Sequence, residues 1–173
     1  MVSWSIEDSM LAPRDKIEIN FKGANPFGIY KRIDTGFCQK MFEVGSTDFW
    51  ERDFRWSVGS DPHPFFGRLF VRKEFDGFTE GIFEILFQGK QPTDPSKDGE
   101  VRISVGGNLR TNFDLSTPFR QTSIYRAFLW LYIKFYYSAV RRTYLKICQE
   151  KIDAFNRQVR EWTGMPIGGQ LSV

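Results

Sequence analysis

The sequence predicts an α+β domain in which a curved antiparallel sheet wraps around one long C-terminal helix. Three observations lead to this prediction: a strand-like segment followed by helix-start residues near the N-terminus, a long middle section of alternating polar and apolar positions, and a helix-like segment that ends at Gly164. A chain of 173 residues, 41% hydrophobic and 17% aromatic, supplies one sizeable core. We therefore predict a single domain over residues 1–173, with 1–15 as an N-terminal extension and 165–173 as a loose tail.

The first elements are a strand and a pair of short helices. Residues 16–22 alternate polar and apolar side chains, which predicts a strand with one buried face. Asn25 suits a helix N-cap and Pro26 suits the first helical turn, where its missing N–H costs nothing. Because Thr35-Gly36 interrupts the helical pattern that follows, we expect two short helices rather than one.

The middle of the chain predicts an antiparallel meander. Alternating segments over 48–58, 65–75, 78–89 and 101–113 are typical of strands, and Asp76-Gly77 is a hairpin signal. Gly106-Gly107 predicts a bulge or a sharp bend in the last strand. Residues 2–6 are a candidate for one further edge strand.

The C-terminal segment predicts a helix that exceeds the size of the domain. A continuous helix over 118–163 would be about 69 Å long, whereas a compact domain of this size is about 40 Å across. The helix therefore either breaks or protrudes, and we predict a break near Thr122-Ser123. Its predicted inward-facing positions are Leu129, Ile133, Tyr136, Val140, Tyr144, Ile147, Ile152, Phe155 and Val159.

This order of elements over residues 16–164 resembles the helix-grip fold of the START-related (SRPBCC-like) superfamily. The resemblance rests on element order, since the superfamily has no short motif to quote from this chain. It implies a ligand site between sheet and helix, because members bind lipids, hormones, polyketides or other apolar molecules there, and some are enzymes or protein-binding modules. That fold usually has six strands after the helix pair, whereas we count four segments here.

A cavity of this kind leads to the first functional hypothesis. Arg52 and Lys73 are basic residues on apolar strand faces, so they either pair, reach the solvent or bind an anionic ligand. We predict that they hold the polar end of the cavity, with apolar walls from Trp50, Phe54, Trp56, Phe83 and Tyr136. The predicted function is non-catalytic binding or carriage of an apolar or amphipathic small molecule, lipid-like and anionic at one end.

A second hypothesis comes from residues 128–137, which are apolar on every side of their predicted helix. The side opposite the sheet must be covered by the N-terminal segment, by a second subunit in a homodimer, or by a membrane surface. The following half is basic, which indicates either a solvated face or contact with an acidic partner. The alternative function is thus a protein- or RNA-binding module whose interaction surface contains Trp130, Lys134, Tyr137, Arg141 and Arg142.

Other classes receive less support from the sequence. Cys38 and Cys148 lack disulfide or metal spacing, which predicts buried free thiols in a reducing compartment, and the first residues do not form a secretory signal, so we expect a cytoplasmic protein. The longest apolar segment is shorter than the roughly 18–20 residues of a transmembrane helix.

His63 is the only histidine and lies between two prolines. We predict no metal, no cofactor and no catalytic residue, and we rank a cyclase or hydratase third. A net charge of +3 gives little reason to expect nucleic acid, although it leaves room for a local basic patch.

Overall fold

The computed structural model describes residues 3–94 and 96–166. It contains a six-stranded antiparallel sheet that is curved and not closed, two short helices and a long C-terminal helix. The predicted fold class is confirmed. The strands are β1 (Ser3–Ser9), β2 (Lys16–Ala24), β3 (Phe49–Trp56), β4 (His63–Glu74), β5 (Thr79–Gln91) and β6 (Asp98–Asp114). The helical segments are α1 (Pro26–Arg32), α2 (Thr35–Phe42), α3 (Ser123–Tyr132), a π-helical turn (Ile133–Tyr137) and α4 (Ser138–Thr163), with short 3-10 turns at Ser46–Asp48 and Phe119–Gln121.

Strand β6 is the centre of the sheet. On one side it pairs with β5, which continues to β4 and then β3; on the other side its first half pairs with β2 and its second half with β1. The N-terminal segment is thus an edge strand, as one reading of the sequence predicted, and the helix pair follows the second strand rather than the first. The predicted N-terminal extension over 1–15 is corrected, because Met10 and Leu11 are buried in the core directly after β1.

The predicted bulge at Gly106-Gly107 does not form. The register between β5 and β6 runs without interruption past both glycines, and these residues instead mark the point where β6 changes partner from β2 to β1. A Cβ on Gly107 would lie 2.3 Å from the carbonyl oxygen of Ile82, and a Cβ on Gly106 would lie 2.4 Å from that of Asp15. The pair is therefore needed for close approach of neighbouring backbone.

The register shift lies in β3, between Glu51 and Asp53. Before it, Trp50 pairs with Phe70 of β4; after it, Phe54 pairs with Gly67. A bulge at this point exchanges the two faces of the strand. Trp50 consequently lies on the outer face of the sheet, away from the long helix, whereas Phe54 lies on the inner face.

The two short helices form where the capping residues predict them. The side chain of Asn25 accepts a hydrogen bond from the N–H of Gly28 at 3.1 Å, and Pro26 occupies the first turn of α1. The carboxylate of Asp34 accepts one from the N–H of Phe37 at 2.7 Å and begins α2. The break between the helices therefore lies at residues 33–34, just before the predicted Thr35-Gly36.

The core lies between the inner face of the sheet and the second half of the long helix. α4 contributes Cys148, Ile152, Phe155 and Val159, all fully buried. They meet side chains of α2 and the central strands, such as Phe42 and Phe83, whose ring centroids are 4.6 Å apart. Both cysteines are free and buried, as predicted, and burial raises the pKa of each thiol to about 12.

The long helix begins and ends close to the predicted residues. Thr122 caps its start by accepting a hydrogen bond from the N–H of Tyr125 at 3.3 Å, and Gly164, with a φ of 66°, ends it. Residues 123–163 would measure about 61 Å as an uninterrupted helix. Met165 packs against the core, and the predicted loose tail from residue 167 onward lies outside the described residues.

The π-helical turn changes which residues face the sheet. Leu129, Tyr137 and Arg141 are buried, so the inward positions are separated by multiples of four residues across the turn. Leu129 and Arg141 are separated by three steps of four residues. In a regular α-helix, the side chain of Arg141 would therefore point about 120° away from the direction of Leu129. The wider π turn absorbs this rotation. Tyr136, which the periodicity placed inward, is exposed instead.

Asp76, in the turn between β4 and β5, anchors the helix at this point. It accepts hydrogen bonds from the hydroxyls of Tyr137 at 2.7 Å and Tyr144 at 3.1 Å, and from the backbone N–H of Phe78 and Thr79. Burial by itself would raise the pKa of Asp76, but these hydrogen bonds together hold it below its ordinary value. The charged form of Asp76 is therefore the form that ties the sheet to the helix.

We expect Asp76→Asn to lower the free energy of unfolding by about 1–3 kcal/mol near neutral pH, because hydrogen bonds to a charged acceptor are lost. Since the native pKa of Asp76 is lowered, its contribution is complete above the unfolded-state pKa of about 3.9 and is lost as the pH falls through the native pKa. Urea unfolding of both proteins across this range measures the difference. Asp15→Asn, in an exposed loop, is the control, and equal losses in the two variants would contradict the anchor.

Candidate interaction surface

The first half of the long helix carries a row of exposed apolar side chains. Ile124, Phe128, Leu131 and Phe135 lie at helical spacing, and we call this row the apolar stripe. Phe128 is 69% and Phe135 75% exposed, values far above those of core aromatics. The apolar stripe faces solvent along its whole length.

Further large side chains extend the stripe on both sides. Tyr132 and Tyr136 lie on one side with their ring centroids 5.5 Å apart, and Trp130 lies on the other with the Lys134 Nζ 4.6 Å from its ring centroid. Single exposed apolar residues are ordinary, whereas a contiguous group of exposed apolar residues is typical of interaction sites. We define the helix surface as Phe119, Ile124, Phe128, Trp130, Leu131, Tyr132, Phe135 and Tyr136, all at least 41% exposed.

The rest of the chain covers only the opposite side of this helix. Leu129 and Tyr137 pack on Phe113 and Leu115 at the end of β6, with Trp4 of β1 beside them. The N-terminal strand thus reaches the buried side and not the apolar stripe. The sequence led us to expect the N-terminal segment, a second subunit or a membrane as the cover of this side. Within the described residues, 3–94 and 96–166, the N-terminal segment does not cover the apolar stripe.

The charged side chains in this part of the chain are all basic. Between Asp114 and Glu150 the sequence contains no Asp or Glu, whereas it contains Arg120, Arg126, Lys134, Arg141, Arg142 and Lys146. Two of these are paired with carboxylates from outside the segment: Arg120 with Asp114 at 3.0 Å and Arg141 with Asp8 at 2.5 Å. The other four have no carboxylate within 4 Å among the residues that the structure describes.

The structure separates the five residues predicted for an interaction surface. Trp130, Lys134 and Arg142 are exposed. Tyr137 and Arg141 are only 3% and 4% exposed, which corrects their placement. The hydroxyl of Tyr137 is bound to Asp76, and the π turn directs Arg141 toward Asp8. Sequence reasoning did not single out the apolar stripe, although a helix that is apolar on every side and longer than its domain was the available signal.

The residues predicted for a cavity occupy separate places. Phe83 is fully buried against Phe42. The Nζ of Lys73 donates hydrogen bonds to the carbonyl oxygens of Phe42 and Glu43, at 3.0 and 3.1 Å, and so closes the C-terminal end of α2. Its ion pair with the Glu43 carboxylate, and above all that of Lys151, lowers the pKa of Glu43. Lys73 therefore has protein partners on the inner face.

The remaining cavity candidates are spread over three further locations. Trp50 and Arg52 lie against Phe70, with a ring centroid distance of 5.7 Å and a guanidinium carbon to centroid distance of 5.9 Å. This contact lies on the outer face because of the bulge in β3. Phe54 and Trp56 pack beside α1 in an aromatic cluster with Phe27, Tyr30 and Phe65. Tyr136 belongs to the helix surface, so the candidates do not converge on one cavity.

Two other kinds of site find no support among the described residues. No group of three or more His, Cys, Asp or Glu side chains is arranged to hold a metal ion there. No helix within the same residues is both long enough and apolar enough to cross a bilayer. His63 is the first residue of β4, where it pairs with Gln91, and its Nε2 lies 3.1 Å from the Thr93 hydroxyl; it does not lie in a turn.

A scan against known protein families and a search of curated proteins found no match to this chain. Among solved structures, a Staphylococcus aureus protein of unknown function is similar over 94% of this chain and 97% of its own. The two sequences are 8% identical and the TM-score is 0.28.

We expect Lys73→Met to lower the free energy of unfolding by about 1–3 kcal/mol, because the carbonyl oxygens of Phe42 and Glu43 lose their donor. Arg52→Leu removes an exposed cation–π contact and is expected to cost about 0.5 kcal/mol or less. Urea unfolding of both variants measures this difference. If Arg52→Leu were the more destabilising change, the assignment of Arg52 to the exposed outer face would be wrong.

Proposed function

We propose that this protein is a non-catalytic module that binds the surface of an anionic lipid bilayer through the first half of its long helix. The observation that carries the proposal is the exposed apolar stripe, in a segment that contains no carboxylate and in which Lys134, beside Trp130, has no ion-pair partner among the described residues. Interfacial helices combine apolar and aromatic side chains on one side with Lys and Arg beside them. The helix surface has this composition.

The aromatic side chains favour the interface over a dry contact. Trp130, Tyr132 and Tyr136 have an apolar ring and a polar group, which suits the boundary between headgroups and acyl chains. Phe128 and Phe135 supply the deeper apolar part of the contact, to a depth of about 5–10 Å. Lys134, beside Trp130, would then lie at the level of the headgroups, where it adds about 1 kcal/mol with anionic lipid.

Charge also argues against a second copy as the main occupant of the helix surface. A symmetric dimer through the apolar stripe would bring together two copies of a segment that contains basic residues such as Lys134 and no carboxylate. Since the segment between Asp114 and Glu150 offers no carboxylate, these charges would meet without compensation, and like charges at an interface are costly. An anionic surface removes this cost. A dimer, or a complex with an acidic protein, is retained as an outcome that the following experiment detects.

Co-sedimentation with vesicles tests the proposal. We expect binding to vesicles that contain phosphatidylglycerol, weaker binding to pure phosphatidylcholine, and a loss at high salt. The double variant Phe128→Ser/Phe135→Ser should bind at least about 100-fold more weakly, since each Phe loses roughly 1.5 kcal/mol or more of apolar burial. Val58→Ser is the matched control, because Val58 is 77% exposed but lies outside the helix surface.

Native mass spectrometry and sedimentation of the same proteins give the opposing outcome. A wild-type dimer that the double variant converts to a monomer, together with no vesicle binding, would assign the helix surface to a second copy and contradict the lipid proposal. Vesicle binding that the double variant retains would equally contradict it.

Carriage of a small molecule between sheet and helix stays a prediction with less support from the geometry. Phe42, Phe83 and Phe155 fill the inner face, and each is fully buried. Native mass spectrometry of the protein purified from its own host tests it. An apolar molecule of a few hundred daltons that remains bound would support carriage, and the bare chain would not.

A further inference from the structure

A groove crosses the outer face of the sheet at the end of the strands distant from the helix surface. Its volume is about 710 Å³, and five strands contribute to it. We call it the outer-face groove. Its exposed side chains come from alternate residues of β2, β6, β5, β4 and β3, since the intervening residues point into the core.

The strand register builds the groove from two adjacent rows of side chains. In the first row, directly paired positions run across five of the six strands: Asn20, Arg102, Gln88, Phe66 and Arg55. In the second row, the corresponding positions are Lys22, Glu100, Lys90 and Pro64, with Ser57 at the end. Strand pairing thus aligns residues that are far apart in sequence, so a local sequence motif cannot predict the groove.

The groove concentrates positive charge. It contains Lys22, Arg55, Lys90 and Arg102 against a single carboxylate, Glu100. Lys90 is 3.3 Å from Glu100, whereas Arg102 donates to the amide oxygen of Asn20 at 3.2 Å and keeps its charge uncompensated. Arg55 has only a distant contact with Asp53 at 3.8 Å. The excess of three positive charges in one groove equals the formal net charge of the whole chain.

An aromatic ring lies within this basic row. Phe66 is half-buried between Gln88 and Arg55, and the Arg55 guanidinium carbon is 6.0 Å from its ring centroid. Pro64 adds a second flat apolar surface in the next row. A groove with separated cations and a ring on which a base stacks is the arrangement that binds single-stranded nucleic acid without sequence preference.

We infer that the outer-face groove binds a short single strand of nucleic acid, with its phosphates along the basic side chains and a base on Phe66. The spacing of the cations favours a strand over a single phosphate. They are distributed over strands that lie about 4.8 Å apart, so the groove is about 19 Å wide. A compact phosphate requires donors that converge on one point, whereas a strand is followed by donors in series.

The outer-face groove and the helix surface are separate sites. Thr79, at one end of β5, contacts Tyr137 of the helix, whereas Lys90 lies at the other end of the same strand. Eleven residues of strand correspond to about 36 Å. The inference therefore stands independently of the proposed membrane contact.

Fluorescence anisotropy with a labelled oligouridine tests the groove in the full chain. We expect the logarithm of the affinity to fall with the logarithm of the salt concentration with a slope of about −2 to −3, because each phosphate contact contributes about 0.7. Arg102→Gln should reduce the slope by about 0.7. Arg110→Gln is the matched control, because it lies on the same face of β6 but outside the groove.

A second pair of variants tests stacking. Phe66→Leu should weaken binding about tenfold while leaving the salt slope unchanged, since the ring is lost but no charge. Phe70→Leu, four residues further along the same face of β4 and outside the groove, should have little effect. Circular dichroism confirms that the variants are folded.

Three results would overturn the inference. The first is the absence of oligouridine binding at low salt. The second is an equal effect of Arg102→Gln and Arg110→Gln. The third is displacement of the oligouridine by uridine monophosphate at equal concentration, which would assign the groove to a mononucleotide. Binding that is unchanged in Phe128→Ser/Phe135→Ser and weakened in Arg102→Gln would support the groove whatever the vesicle experiment shows.

Discussion

The packing of α4 against the inner face of the sheet is the contact on which the rest of the structure depends. Cys148, Ile152, Phe155 and Val159 fix the second half of the long helix over the central strands. A helix of about 61 Å cannot be covered by a domain about 40 Å across, so the first half extends past the sheet. Only the side that carries Leu129 and Tyr137 packs against the rest of the protein. The other sides face solvent even where they are apolar. The stripe is therefore exposed because the helix is longer than the sheet that could cover it.

The π turn and Asp76 determine which side of the extending half is exposed. Without the wider turn, the inward direction would drift by about 120° between Leu129 and Arg141. The extra residue keeps both of them directed toward the body of the protein, while Asp76 holds the hydroxyls of Tyr137 and Tyr144 at the same level. The apolar residues that remain are thereby aligned into one stripe. A π turn at a point of this kind is a common feature of functional sites.

The sequence predicted the elements better than it predicted the faces of the strands and of the helix. Caps at Asn25 and Gly164, and alternation along the strands, are local signals and were sufficient for the two short helices, the sheet and the long helix. The β3 bulge cannot be read from the composition, because the alternating pattern continues through Arg52. The bulge places Trp50 and Phe54 on opposite faces, whereas the alternation places them on the same face. Lys73 was equally unpredictable, since its acceptors at the end of α2 are brought to it by tertiary packing alone.

The net charge of the chain is small, but the acidic residues are unevenly distributed. Their distribution explains why both proposed surfaces are basic. The 21 acidic residues avoid the segment from 115 to 149 altogether, and only one of them lines the outer-face groove. Both regions are therefore basic for different reasons: one by the exclusion of acids from a stretch of sequence, the other by the alignment of distant residues through strand pairing. They lie at opposite ends of β5. If the helix surface rests on a bilayer, the groove lies about 36 Å away along β5. Occupation of one surface therefore does not obstruct the other.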